Sequence, residues 1–80
     1  MSIKTAVVMR FQELCTEKDI AINTLANQAG VTPSTVYSML NEGRKDIGIV
    51  TIKKLCDGLD IPIEEFFNSK IFRKLEQEIE

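Results

Sequence analysis

The 80-residue sequence predicts an all-α fold, a compact five-helix domain with a possible extra helix at the C-terminus. Three observations predict it. Apolar residues recur at steps of three and four, the period of an amphipathic helix, and no stretch shows the two-residue alternation of a strand. The four glycines and two prolines fall between these periodic stretches, where they punctuate helices. A chain of this length with 44% hydrophobic residues supports one modest core.

The first helix runs from Thr5 to about Thr16, with Val7, Val8, Phe11, Leu14 and Cys15 on its apolar side. Lys18 and Asp19 lead into a polar turn. A short second helix spans Ile22 to Gln28 and carries Leu25, Ala26 and Ala29 on one side, although Ala21 is a weak N-cap. Gly30 follows, where a glycine just past a helix end permits the left-handed backbone of a sharp turn. Thr32 caps a third helix with Pro33 at its first position, because the missing proline N–H has no partner there in any case. Val36, Met39 and Leu40 are expected to point inward, and Ser34, Tyr37, Ser38 and Asn41 outward. Gly43 is expected to end this helix as a C-terminal cap.

A loop through Arg44, Lys45 and Asp46 leads to a fourth helix, Ile49 to Asp57, striped by Ile52, Leu55 and Cys56 and stopped by Gly58. Pro62 opens the fifth, where Glu64 and Glu65 face the positive end of the helix dipole and Phe66 and Phe67 supply the apolar anchors. From Ser69 to Glu80, Ile71, Phe72, Leu75 and Ile79 lie along one side. This stretch is a sixth helix, or one that forms on pairing; it either folds back over the core or serves as a dimer interface. The expected division is residues 1–68 as the domain and 69–80 as an amphipathic extension.

The formal net charge of −2 runs against the basic balance usual for nucleic-acid binding, but it is unevenly spread. Residues 1–56 hold seven basic and five acidic side chains, a balance of +2, and residues 57–80 hold three and seven, a balance of −4. A mildly basic front can approach DNA, with weak and salt-sensitive binding by a monomer. Cys15 and Cys56 each lie in an apolar helical stripe and are expected to be reduced core residues, in keeping with a cytoplasmic protein. No window has the apolar length of a membrane span, and the N-terminus lacks a secretory pattern, so a soluble, unprocessed chain is expected.

The stretch Ile22 to Asn41 carries the function. Ala26 is small where two helices must cross closely, Gly30 supplies the turn, and Val31 and Val36 fill the angle between the helices. The result is a helix-turn-helix whose second helix has its outer face free to enter a major groove about 12 Å wide.

Three segments, RFQELCTEKDI, LANQAGVTPSTVYSMLNEG and TIKKLCDGLDIPIEEFF, occur in the order and spacing of the phage-repressor and Cro-type (xenobiotic-response-element-type) helix-turn-helix regulators. The chain resembles that family from Arg10 to Phe67. The resemblance implies a lambda-repressor-like bundle of about five helices and a sequence-specific transcriptional regulator, most simply a repressor, that inserts the helix from about Pro33 to Asn41 into the major groove. It also implies base reading by Thr32, Pro33, Ser34, Tyr37 and Ser38. Asn23, Thr24, Asn41, Arg44 and Lys45 would lie against backbone phosphates. The sequence departs from many relatives in offering no Arg, Lys, Gln or Asn at Pro33, Ser34, Tyr37 or Ser38, the side chains best suited to bidentate base contacts. Selectivity would rest instead on hydroxyl contacts, packing against thymine methyls and DNA shape.

Other charged residues have plainer readings. Lys53 and Lys54 form an ordinary exposed pair on the fourth helix, and Arg10 either approaches DNA or ties helices together. An enzyme is not expected, because the chain has no histidine, no metal-ligand cluster and no glycine-rich phosphate loop. Adjacent Glu64 and Glu65 point about 100° apart on a helix and cannot share a substrate. No cofactor, metal or small-molecule ligand is expected. The expected partners are double-stranded DNA and a second copy of the chain, since paired recognition helices about 34 Å apart match palindromic operators. A protein-interaction module on the same scaffold, such as an antitoxin or the partner of another regulator, is the competing function.

Overall fold

A computed structural model describes residues 1–44 and 46–79. Five α-helices follow in order: α1 (Ile3–Glu17), α2 (Ile22–Gln28), α3 (Pro33–Leu40), α4 (Ile49–Gly58) and α5 (Ile63–Phe67). A 3-10 turn, Lys70–Lys74, comes last. Among the described residues there is no strand, and no helix is long and apolar enough to cross a membrane.

Three of the helices stop in the same way. After α1, α2 and α4 the residues Asp19, Gly30 and Asp60 adopt positive φ of 52°, 73° and 58°. Each is followed by a branched apolar residue whose N–H reaches back into the last turn: Ile20 to the Cys15 carbonyl at 2.9 Å, Val31 to Ala26 at 2.8 Å and Ile61 to Cys56 at 3.1 Å. These are Schellman motifs, and in each the branched residue turns toward the core. Glycine takes the left-handed position freely, and aspartate is among the few other residues that tolerate it.

Helix starts follow the capping rules where a capping side chain exists. Ser2 accepts from Thr5 N at 3.2 Å, so α1 begins two residues earlier than its apolar period suggests. Thr32 accepts from Thr35 N at 3.3 Å, with Pro33 opening α3. Ala21 provides no side-chain cap for α2, as its chemistry requires.

The core is built where the helices converge. Val7 and Phe11 of α1, Leu25 of α2, Leu55 and Cys56 of α4 and Phe66 of α5 are its fully buried centre. Phe11 and Phe66 stack with ring centroids 4.3 Å apart, and Phe67 meets Phe66 edge-on at 4.9 Å. Phe72 extends this aromatic group from the 3-10 turn, 5.0 Å from Phe67, and so holds the start of the C-terminal segment on the domain. Each such pair adds about 0.5–1.5 kcal/mol beyond the area it buries. Both cysteines are buried and free.

Four expectations from the sequence are corrected. Leu40 is not an inward residue: it closes the last turn of α3 and leaves 39% of its surface in solvent. Gly43 is not a left-handed cap; α3 ends at Asn41 in extended backbone, and the Asn41 Oδ1 accepts the Gly43 N–H at 2.8 Å in a local side-chain turn. Gly58 does not stop α4 but lies inside its last turn, with Asp60 as the stop. Gly58 is small because a Cβ there would lie 3.0 Å from Leu25 Cδ1 and 3.2 Å from Ala29 Cβ, the close crossing of α4 over α2. Of the two readings of the C-terminal stripe, the sixth α-helix is not formed among the described residues of the single chain: one 3-10 turn is followed by a backbone extended at Leu75, with Ile79 exposed. Too few apolar side chains reach the core beyond Phe72 to stabilise a short helix there.

Candidate nucleic-acid interface

Helices α2 and α3 are positioned by their inward sides. Leu25 and Ala26 bury one side of α2, Val31 fills the turn, and Val36 and Met39 anchor α3. With those residues committed to the core, the opposite side of α3 faces out. Thr32, Pro33 and Ser34 are exposed at its start, Tyr37 is 69% exposed one turn later, and Ser38 is half-buried beside it. All five residues expected to read bases thus sit together on the helix start and the first two turns. Thr32 has the additional task of capping, and its hydroxyl also bonds to that of Thr35 at 2.9 Å.

The expected phosphate contacts are placed less uniformly. Asn23 and Thr24 are exposed in the first turn of α2, and Arg44 is exposed in the loop after α3. Asn41 is half-buried and already occupied, since its Oδ1 holds the Gly43 N–H and its carbonyl accepts the Arg44 N–H at 3.0 Å. Its side-chain NH₂ is the group left to donate outward. Lys45 lies outside the described residues. On α4, Lys54 is exposed, and Lys53 forms an i,i+4 ion pair with Asp57.

Two basic residues serve the frame that carries this surface. Arg10 is buried, donates from Nε to the Phe66 carbonyl at 2.8 Å and from Nη2 to the Glu65 carbonyl at 3.1 Å, and pairs with Glu13. Of its two readings, the structure selects the tie between helices: the guanidinium satisfies the Phe66 carbonyl and shares the Glu65 carbonyl with the Asn68 N–H at the end of α5, the negative end of that helix.

Lys4 is the positioning residue the sequence did not announce. It is buried on α1 and its ammonium donates to the Asn41 carbonyl at 2.7 Å, fastening the C-terminal end of α3 to the first helix. A lysine near a chain start carries no local sign of such a long-range contact; only the packing of α1 against the end of α3 creates it. Among the described residues no group of His, Cys, Asp and Glu side chains could hold a metal ion.

Comparison with known proteins agrees with this geometry. Residues 10–70 match the Cro/C1-type HTH DNA-binding domain. The chain is 31% identical over 61 residues, 76% of its own length and 82% of the relative's, to the SPbeta prophage-derived uncharacterized HTH-type transcriptional regulator YopS of Bacillus subtilis (strain 168). Its structure is similar to the crystal structure of the prophage Lp1 protein 11, with a TM-score of 0.84 at 32% identity, covering 94% of this chain and all of that one. A lambda-repressor-like fold, an exposed second helix in the helix-turn-helix and a family match across most of the chain lead to one conclusion: the chain belongs to the Cro/C1-type helix-turn-helix DNA-binding family and is a DNA-binding regulator of transcription.

Proposed function

We propose that the protein represses transcription by occupying an operator as a homodimer, with α3 of each copy in the major groove. The single observation that carries this reading is the outward side of α3, where Pro33, Ser34 and Tyr37 stand exposed beside half-buried Ser38 while Val36 and Met39 hold the helix to the core. In this reading Thr32, Pro33, Ser34, Tyr37 and Ser38 meet base edges, and Asn23, Thr24, Asn41, Arg44 and Lys45 meet phosphates. The hydroxyls of Ser34 and Ser38 offer one donor and two acceptor sites each, and Tyr37 and Pro33 supply flat apolar surface for thymine methyls.

Dimerisation is supported by what one copy lacks. A front half with a balance of only +2 and a reading face without Arg or Lys leaves a monomer with few charge-assisted contacts. Two copies double them on a palindromic site. Residues 1–68 form the DNA-binding unit in this reading, and residues 69–80 are an extension to it. Occupancy of the site is the whole activity, with no bond made or broken, and it takes place in the cytoplasm.

Replacing Ser34 tests the assignment of the reading face. Ser34→Glu sets a carboxylate against the phosphates while leaving the buried side of α3 untouched, and an acidic residue in the first turn is compatible with the helix dipole. The expected result is loss of DNA binding in a mobility-shift titration, with circular dichroism and melting temperature unchanged. Normal binding by the variant would remove this face from the interface.

A further inference from the structure

The C-terminal segment runs beside a cleft that holds two cationic side chains, Lys4 and Arg44. After the 3-10 turn the chain becomes extended at Leu75, and backbone bonds tie it to the start of the protein: the Met1 nitrogen donates to the Lys74 carbonyl at 3.3 Å, and Glu76 N donates to the Met1 carbonyl at 3.0 Å. That pairing directs residues 77–79 along the start of α1. There Glu78 joins Lys4, Glu42 and Arg44 in lining one open cleft of about 740 Å³, floored by Val8, Met9 and Leu40. Without Glu78, two cations share the cleft with one carboxylate; with it the charges balance. Among the described residues no other tail residue lines this cleft, and Ile79 leaves 81% of its surface in solvent.

We infer that the acidic C-terminal segment is an intramolecular competitor for DNA, with Glu78 offsetting the positive charge of Arg44 at the end of the recognition helix. The inference rests on the reading of Arg44 as a phosphate contact. Two features suit the segment to this role. Its attachment beyond Leu75 is polar and exposed, so displacing it breaks only contacts that water can replace. Its charge acts over a Debye length of about 10 Å at 0.1 M salt, enough to oppose phosphates approaching the same cleft. Regulation would follow from anything that lifts or neutralises the segment.

The test uses the full-length chain and a 30-base-pair duplex without an operator, so that backbone contacts alone are read. Glu78→Gln is expected to tighten binding about two- to five-fold at about 50 mM salt and to have no effect near 0.5 M, where surface charges are screened. Glu78→Lys should tighten it further. A chain ending at Lys74 should match Glu78→Gln or exceed it, and Arg44→Gln should weaken binding and shrink the gain given by Glu78→Gln. Unchanged affinity in both Glu78 variants, with Arg44→Gln still weakening binding, would overturn the inference and leave the proposed interface intact. If Arg44→Gln also bound normally, the interface assignment of Arg44 would fail with it. A Glu78→Gln gain that persisted unchanged in the Arg44→Gln background would overturn the charge offset proposed here.

Discussion

Gly30 shows how a single residue can set the helix-turn-helix angle. Its φ of +73° is the reason for glycine there, since an added Cβ would meet nothing within 4 Å. Gly30→Ala is therefore expected to cost about 1–2 kcal/mol through backbone strain alone, read as a lowered urea midpoint with an unchanged slope. The cysteines make a second prediction at this scale. Burial is the main cause that raises both thiols, with Asp57 adding to the effect at Cys56, which is pushed up to about 11 from 9.0. The folded state thus favours the neutral thiol. The resulting stability is fully present below pH 9 and is lost as pH rises through about 11, so the melting temperature should fall across that window. At pH 8 neither thiol should react with an alkylating agent until the protein is unfolded, since the thiolate is the nucleophile and both side chains are buried.

At the scale of the element, helix position and helix termination differed in how openly the sequence stated them. The apolar period located all five helices because each has one buried side, and the Thr32–Pro33 cap and Gly30 fixed the start of α3 and the end of α2. The stops of α1 and α4 are Asp-Ile pairs, chemically parallel to the Gly-Val after α2, so a glycine near a helix end, such as Gly58, is not by itself the stop. Gly58 answers to a neighbour distant in sequence, as Lys4 does, and local pattern does not encode such contacts. The candidate reading face was legible because burial of Val36 and Met39 dictates which side of α3 is left outside. The attachment of that helix at its far end was not. Lys4→Met tests it: loss of the ammonium that holds the Asn41 carbonyl should lower stability by about 1.5 kcal/mol, near the low end for a charged hydrogen bond because the Arg44 N–H still satisfies that oxygen. DNA affinity should fall as well, and a double-mutant cycle with Ser34→Ala on affinity would separate a loosened helix from a lost contact.

For the whole molecule, packing and the spread of charge set how the domain meets DNA. The radius of gyration of 12.1 Å is close to the roughly 12 Å expected for one domain of this length, and Phe72 packs the start of the C-terminal segment onto the same core. A net charge of −2, with the acidic excess in residues 57–80, distinguishes this chain from strongly basic DNA binders. The central claim is that the outward side of α3 reads a specific DNA site. The measurement that tests it most directly is a titration of the protein against the DNA upstream of its own gene and against a scrambled duplex, at several salt concentrations. The account predicts a clear preference for one site and a steep fall in affinity with salt, whereas equal and feeble binding to both duplexes would contradict it.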